Sequence, residues 1–160
     1  MILINIDDKL DDTDSVGELI RQCFPAPTGG MPELLTKDVQ HKIEIEKIKY
    51  IINLIGSPRH YIRAFDTRKS NKLIGFGILS ESTLQYFYDL TWVCVDIAYQ
   101  GQGIGKKLVN KAIEFSQEKD RDLVITTEQT KFYSDLGFKI CNEYRSGWFL
   151  MSTTSKETKI

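Results

Sequence analysis

The stretch QGQGIGKKL (Gln100–Leu108) combines three alternating glycines with a pair of lysines. Gly101, Gly103 and Gly105 let the backbone bend and let a ligand approach main-chain N–H groups that a Cβ would shield. The stretch follows a β-rich run and precedes an amphipathic one, so the glycines fall where a helix begins. A helix start carries unpaired N–H groups and the positive end of the helix dipole, and both favour an anion. The chemistry this pattern suits is the holding of a phosphate or pyrophosphate; a tight turn without a guest fits the same glycines. Two familiar phosphate loops are absent. The dinucleotide fingerprint G-x-G-x-x-G, started at Gly101, needs glycine where Lys106 stands. The Walker pattern needs glycine at Gln100 and a hydroxyl residue at Lys107.

What the stretch does match is Q/R-x-x-G-x-G/A, over Gln100, Gly101, Gln102, Gly103, Ile104 and Gly105, directly after WVCVDIAY. About thirty residues on, FYSDLGF (Phe132–Phe138) matches F-Y-x-x-x-G-F. With these two signatures the chain resembles the GNAT superfamily of acetyl-CoA-dependent N-acetyltransferases, and the resemblance covers roughly residues 2 to 151. It implies that the amides of Gln100–Gly105 cradle the pyrophosphate of coenzyme A, with Lys106 and Lys107 adding positive charge or standing solvated on the helix. It also implies that the backbone of Val93, Cys94 and Val95 pairs with the pantetheine arm like an added strand. Tyr133 then matches the family's general acid, and Asp89 takes the place of a glutamate that one branch carries eleven residues before the loop's glutamine. Thr126 stands where the family often has an asparagine that contacts the cofactor.

Amide formation from an amine and a thioester needs a neutral amine, a donor for the developing oxyanion and a proton for the departing thiolate. A strand N–H such as that of Val95 suits the second need. A phenol with an ordinary pKa of about 10 donates to a thiolate of about 8.5 with little mismatch. For the first need the candidates are Asp89, Asp96, Glu81, Glu128, or water alone. Asp89 shares strand parity with Thr91, Val93 and Val95, and Asp96 has the opposite parity. Cys94 has no histidine near it in sequence, so packing is its expected role rather than nucleophilic attack. Aromatic residues Tyr86, Phe87, Tyr88 and Trp92 fit either the core or an acceptor site with some apolar area.

Composition narrows the class. A chain of 160 residues fits one domain with a real core, and a formal net charge of −1 gives no basic surplus for non-specific nucleic-acid binding. Cys23, Cys94 and Cys141 are scattered, and His41 and His60 are the only histidines, so no metal-ligand spacing exists and no metal is expected. Scattered cysteines, no basic leader at the start and no long apolar run point to a reducing, cytoplasmic setting without a membrane span.

The elements that must position these residues follow from periodicity. Ile2–Ile6 reads as an edge strand. Val16, Leu19, Ile20 and Cys23 mark a helix ended by Pro25 and Pro27. After the loop APTGGMP, Ile45, Ile48, Ile52 and Ile55 mark a second helix over about Asp38–Ile55, stopped by Gly56 and Pro58. Tyr61–Phe65, Lys72–Ser80 and Leu84–Ile97 read as strands, the first two joined by the turn DTRKSN. Ile104, Leu108, Ala112 and Phe115 stripe a helix after the glycine loop. Asp122–Thr126 is a strand, QTKFYSDLG a short helix stopped by Gly137, and FKICNEYRSGWFLMST a closing hairpin. The expected fold is α/β, one domain over residues 1–151 with a polar, frayed tail at 152–160. The resemblance specifies a mixed sheet of about seven strands, about four helices and a splay after the fourth strand. It implies acetyl transfer to a primary amine of a small molecule, peptide or protein, in a monomer or homodimer. A non-catalytic acyl-CoA-binding sensor on the same fold is the alternative.

Overall fold

A computed structural model describes residues 1–24, 37–53, 59–82 and 86–153. Seven strands and four helices follow one another as β1 (Ile2–Asp7), α1 (Thr13–Cys23), α2 (Lys37–Asn53), β2 (Arg59–Asp66), β3 (Lys72–Glu81), β4 (Phe87–Val95), α3 (Ile104–Glu118), β5 (Asp122–Thr127), α4 (Thr130–Asp135), β6 (Lys139–Arg145) and β7 (Trp148–Ser152). They form one mixed sheet in the order β1-β2-β3-β4-β5-β7-β6, in which the pairing of β4 with β5 is parallel and the rest antiparallel. β1 is an edge strand, as its short alternating run predicts.

The sheet separates two apolar clusters. On one face α3 lays Ile104, Leu108, Val109 and Ala112 against Ile62, Ala64, Leu79, Leu90 and Leu123. On the other, Val16, Leu19 and Ile20 of α1 and Ile48 and Ile52 of α2 cover Phe76, Ile78 and Cys94. Ile48 and Ile52 are 0% and 2% exposed, and burial of each contributes roughly 1.5–3 kcal/mol. Gly75 allows α3 to sit close: a Cβ there would lie 2.9 Å from Leu108 Cδ1. Among the described residues no helix is long and apolar enough to cross a membrane.

Several boundaries differ from the periodicity reading. The expected end of the second helix at Ile55, its Gly56–Pro58 stop, the Pro25–Pro27 stop, the APTGGMP loop and most of the 152–160 tail lie outside the described residues. β4 ends at Val95 rather than Ile97, because Asp96 turns its carboxylate onto Ala98 N (2.9 Å) and caps a 3-10 turn over Ile97–Tyr99. β4 also contains a bulge. Phe76 pairs with Cys94 but Ile78 with Thr91, so Trp92 and Val93 both stand opposite Gly77, and Trp92 adopts φ 51°. The extra residue inverts the face of everything beyond it. Val93 and Val95 pack with the α3 cluster, whereas Cys94 belongs to the α1–α2 cluster. Asp89 therefore shares its face with Thr91 and Cys94, and the expected common face with Val93 and Val95 is incorrect.

β4 and β5 pair over Phe87–Asp89 and Asp122–Val124 and then part. β5 continues along β7 instead, up to the pairing of Thr127 with Phe149. The splay expected after the fourth strand is thus present, with Asp89 as the last paired residue at its apex.

Candidate active site

The glycine loop forms one wall of the splay. Gly101 and Gly103 take φ 80° and 79°, in the left-handed region that side chains disfavour, and a Cβ on either would meet nothing within 4 Å. Backbone conformation rather than crowding thus requires glycine at both. Gly103 is the residue at which α3 begins. The first turn of α3 holds no acid and instead carries Lys106 and Lys107, the reverse of what the helix dipole prefers. A helix that places cations at its positive end gains by holding an anion there.

A cleft of about 460 Å³ opens beside this turn, lined by Gly101, Gly103, Gly105, Lys106, Val93–Val95 and, across from them, Phe132 and Tyr133. Gln100 and Ile104 line it too; Gln102 and Lys107 do not and are exposed. Strand alternation fixes what β4 can offer. Asp96 N donates to Ile74 O (2.7 Å), so the backbone of Cys94, two residues back, also faces β3, and that of Val95 faces the splay. Val95 O already accepts from Gln100 Nε2 (3.0 Å) and from the Cys23 thiol (3.1 Å), which fills its two lone pairs.

Tyr133 sits on α4 between Phe132 and Phe138, with ring centroids at 4.9 and 5.4 Å and both contacts edge-on. Gly137, at φ 99°, reverses the chain so that Phe138 N reaches Tyr133 O at 3.1 Å. Burial pushes the Tyr133 phenol up to about 12. The small mismatch with a thiolate inferred from ordinary values is therefore larger here, and the phenol stays protonated across the working pH range.

The carboxylates separate by geometry. Burial pushes Asp89 above the usual carboxylate range, but its side chain does not line the cleft. Asp96 is buried and committed to Ala98 N and to Lys72 (3.4 Å). Glu81 pairs with Arg121, and Glu128 is exposed in the turn after β5. Thr126 is exposed and does not line the cleft; Gln129 does, held by Thr127 Oγ1 accepting from its backbone N–H at 2.9 Å.

Several site residues carry no sequence signature. Cys23 and Phe24, at the end of α1, line the cleft across the sheet from α3, and only tertiary packing brings them there. Tyr99 also lines it, and its hydroxyl donates to Asp66 at 2.7 Å. Asp66 is 1% exposed and also accepts from Arg68 N and Nε at 3.0 and 3.2 Å. The Tyr99 hydroxyl foremost, then Arg68, hold Asp66 at about 2, below its ordinary 3.8. Asp66 and Asp96 thus fix the two ends of the 3-10 turn from which the glycine loop departs. A larger groove of about 710 Å³ lies by α1, but its facing charges pair with one another, as in His41–Glu18 at 2.7 Å and Lys72–Asp96.

The fold and loop define a class that comparison with known proteins makes definite. The acetyltransferase (GNAT) domain model matches residues 57–140, and the chain belongs to this family. GCN5-related N-acetyltransferase 2, chloroplastic, of Arabidopsis thaliana is 34% identical over 89 residues, which is 52% of this chain and 33% of that protein. Histone acetyltransferase TAP1 of Glycine max is 32% identical over 108 residues, 64% of this chain and 45% of that protein. The match therefore spans less than half the length of either curated relative. An aminoglycoside 6'-N-acetyltransferase solved with coenzyme A superposes with a TM-score of 0.70 at 17% identity, covering 99% of both chains, and shows the shared fold.

Proposed function

We propose that the chain, over residues 1–151, transfers the acetyl group of acetyl-CoA to a primary amine by direct attack. The observation that carries this reading is the splay: a left-handed glycine loop at a helix start on one wall, Tyr133 on the other, and the free edge of β4 between them. Acetyl-CoA supplies the activated acyl group as a thioester. The amides of Gly101–Gly105 and Lys106 bind the pyrophosphate, and left-handed glycines at 101 and 103 suit this because such backbone forms anion-binding concavities. The edge of β4 at Val93 and Val95 orients the pantetheine arm, and the Val95 N–H donates to the carbonyl oxygen as charge develops on it. The Cys94 backbone faces β3, so its share is steric. Tyr133 holds its proton until the thiolate departs and then gives it up.

Asp89, at the apex of the splay and on the α1–α2 face, is the group assigned to deprotonate the acceptor through water. Its raised pKa suits that role, because a carboxylate of higher pKa is the stronger base. A cationic amine arriving on that face would also offset the cost of its buried charge. The acceptor is a small-molecule or peptide amine; the names of an aminoglycoside acetyltransferase and a histone acetyltransferase among similar proteins are consistent with either.

The test is turnover of acetyl-CoA against libraries of small amines and peptides, read as free thiol, beside calorimetric binding of coenzyme A. Amine-dependent thiol release supports the reading. Tight binding without release for every amine tested would favour an acyl-CoA sensor, and absence of binding would remove the pyrophosphate site.

A further inference from the structure

Two cysteines meet in the wall of the cleft, and neither thiol group takes a chemical part in the proposed transfer. Cys23 is the last residue of α1, and its thiol donates to Val95 O at 3.1 Å. Cys94, the residue before Val95, turns its side chain to the same side of the sheet and is 5% exposed. Both side chains pack in the α1–α2 cluster, and both line the cleft. They differ in access: Cys23 is half-buried, whereas Cys94 is buried. Cys141, the third thiol, is exposed on the edge strand β6.

We propose that Cys23 and Cys94 are a thiol-modification site in which a small disulfide entering the cleft is reduced and an intrachain Cys23–Cys94 disulfide forms. The Cys23 thiolate attacks one sulfur of the small disulfide, forming a mixed disulfide and releasing one thiolate. Cys94 then gives its proton to solvent, and its sulfur attacks Cys23 Sγ, releasing the second thiolate. Two protein thiols lose two electrons and two protons in all, and one small disulfide becomes two thiols.

The local chemistry assigns the order of attack. The neighbouring Cys94 thiol foremost holds the Cys23 thiol below the usual range, while the Cys23 contact and burial push Cys94 well above it. The more acidic thiol is also the less buried one, so the attacking and resolving roles fall to different residues. In the disulfide Cys23 has no proton to donate, and Val95 O loses one of its two donors.

The bond itself does not depend on the cofactor reading, but its protection by ligand does. The pantetheine arm proposed to lie along Val95 would cover Cys23. The experiment uses the full chain carrying Cys141→Ser, which removes the exposed thiol. Oxidised glutathione and coenzyme A disulfide are applied in separate arms, and thiols and adducts are read by alkylation and mass spectrometry. The expected result is loss of both remaining thiols without a retained adduct, with a Cys23–Cys94 cross-link in the peptide map. Adding Cys94→Ala should trap one mixed disulfide on Cys23, and adding Cys23→Ser should leave Cys94 unmodified. Two free thiols after treatment, a stable adduct in the Cys141→Ser chain, or modification of Cys94 without Cys23 would overturn the proposal. Because the peptide map is taken on a chain with both cysteines intact, it decides the matter even where Cys94→Ala does not fold. Saturating desulfo-coenzyme A, which has no thiol to exchange, should slow oxidation by glutathione disulfide several-fold. Cross-linking at an unchanged rate would keep the thiol pair and remove the placement of the cofactor arm along Val95.

Discussion

Gly103→Ala isolates the backbone requirement of the loop. Gly103 holds φ 79° with open space around its Cα, so alanine adds no clash and only the cost of the left-handed conformation. That cost is about 1–2 kcal/mol. It has two places to appear. If the loop keeps its shape, the folded state carries the strain, and for a chain of this size the melting temperature falls by about 2–8 °C with coenzyme A affinity unchanged. If the loop relaxes, the strain returns on binding, and affinity falls about 5–30-fold with little change in melting. The two losses together should amount to the same 1–2 kcal/mol. Gly105→Ala is the control. Its Cβ would meet Val95 Cγ2 at 3.7 Å and Phe132 Cζ at 3.8 Å, ordinary contacts, and alanine is the better helix former by about 1 kcal/mol. It should keep or raise the melting temperature. Thermal melts and calorimetry with coenzyme A on both variants make the measurement. A Gly103→Ala chain with wild-type melting and wild-type affinity would refute the claim that left-handed backbone is needed there.

Three further outcomes follow from the site. Tyr133→Phe should lower turnover while acetyl-CoA affinity stays within a few-fold, and the wild-type rate should show no alkaline fall from this phenol below about 12; an unchanged rate where chemistry limits would leave Tyr133 a packing residue. Asp89 is raised by burial, so its charge costs stability above its pKa and that cost vanishes as pH falls below the ordinary 3.8. Asp89→Asn should therefore raise the melting temperature at neutral pH yet lower the rate, most at low pH where the amine is charged; pH–rate profiles parallel to wild type would exclude it as the base. Asp66 is depressed to about 2, so its stabilisation is complete above the ordinary 3.8 and lost as pH falls through about 2. Asp66→Asn should lower the melting temperature at neutral pH and weaken coenzyme A binding by loosening Tyr99, whereas unchanged binding would detach the loop from this anchor.

Local pattern carried most of the fold. Apolar spacing placed α1, α2 and α3, and β-rich runs placed the strands, because one-sided burial writes itself into sequence as a period. The loop was legible for a similar reason: left-handed backbone at 101 and 103 needs glycine, so the residue type reports the conformation. The Trp92 bulge was not legible, since a tryptophan at φ 51° contradicts its own preference and only the register against β3 reveals it. That single hidden residue is what misplaced Asp89. Cys23, Phe24 and Tyr99 were missed as site residues because long-range packing gathers them.

The two apolar clusters on opposite faces of the sheet are separate reservoirs of cooperativity. Each helix layer is held by its own cluster, and the strands are the wall they share. Layers joined in this way can open at different free energies, so the α1–α2 layer can loosen while α3 and the glycine loop remain fixed. β4 is the part of the wall where this matters: the bulge gives Val93 and Val95 to one reservoir and Cys94 to the other. A fluctuation that lifts the end of α1 would withdraw Cys23 from Val95 and change what the strand edge presents, without disturbing the glycine turn on the other side.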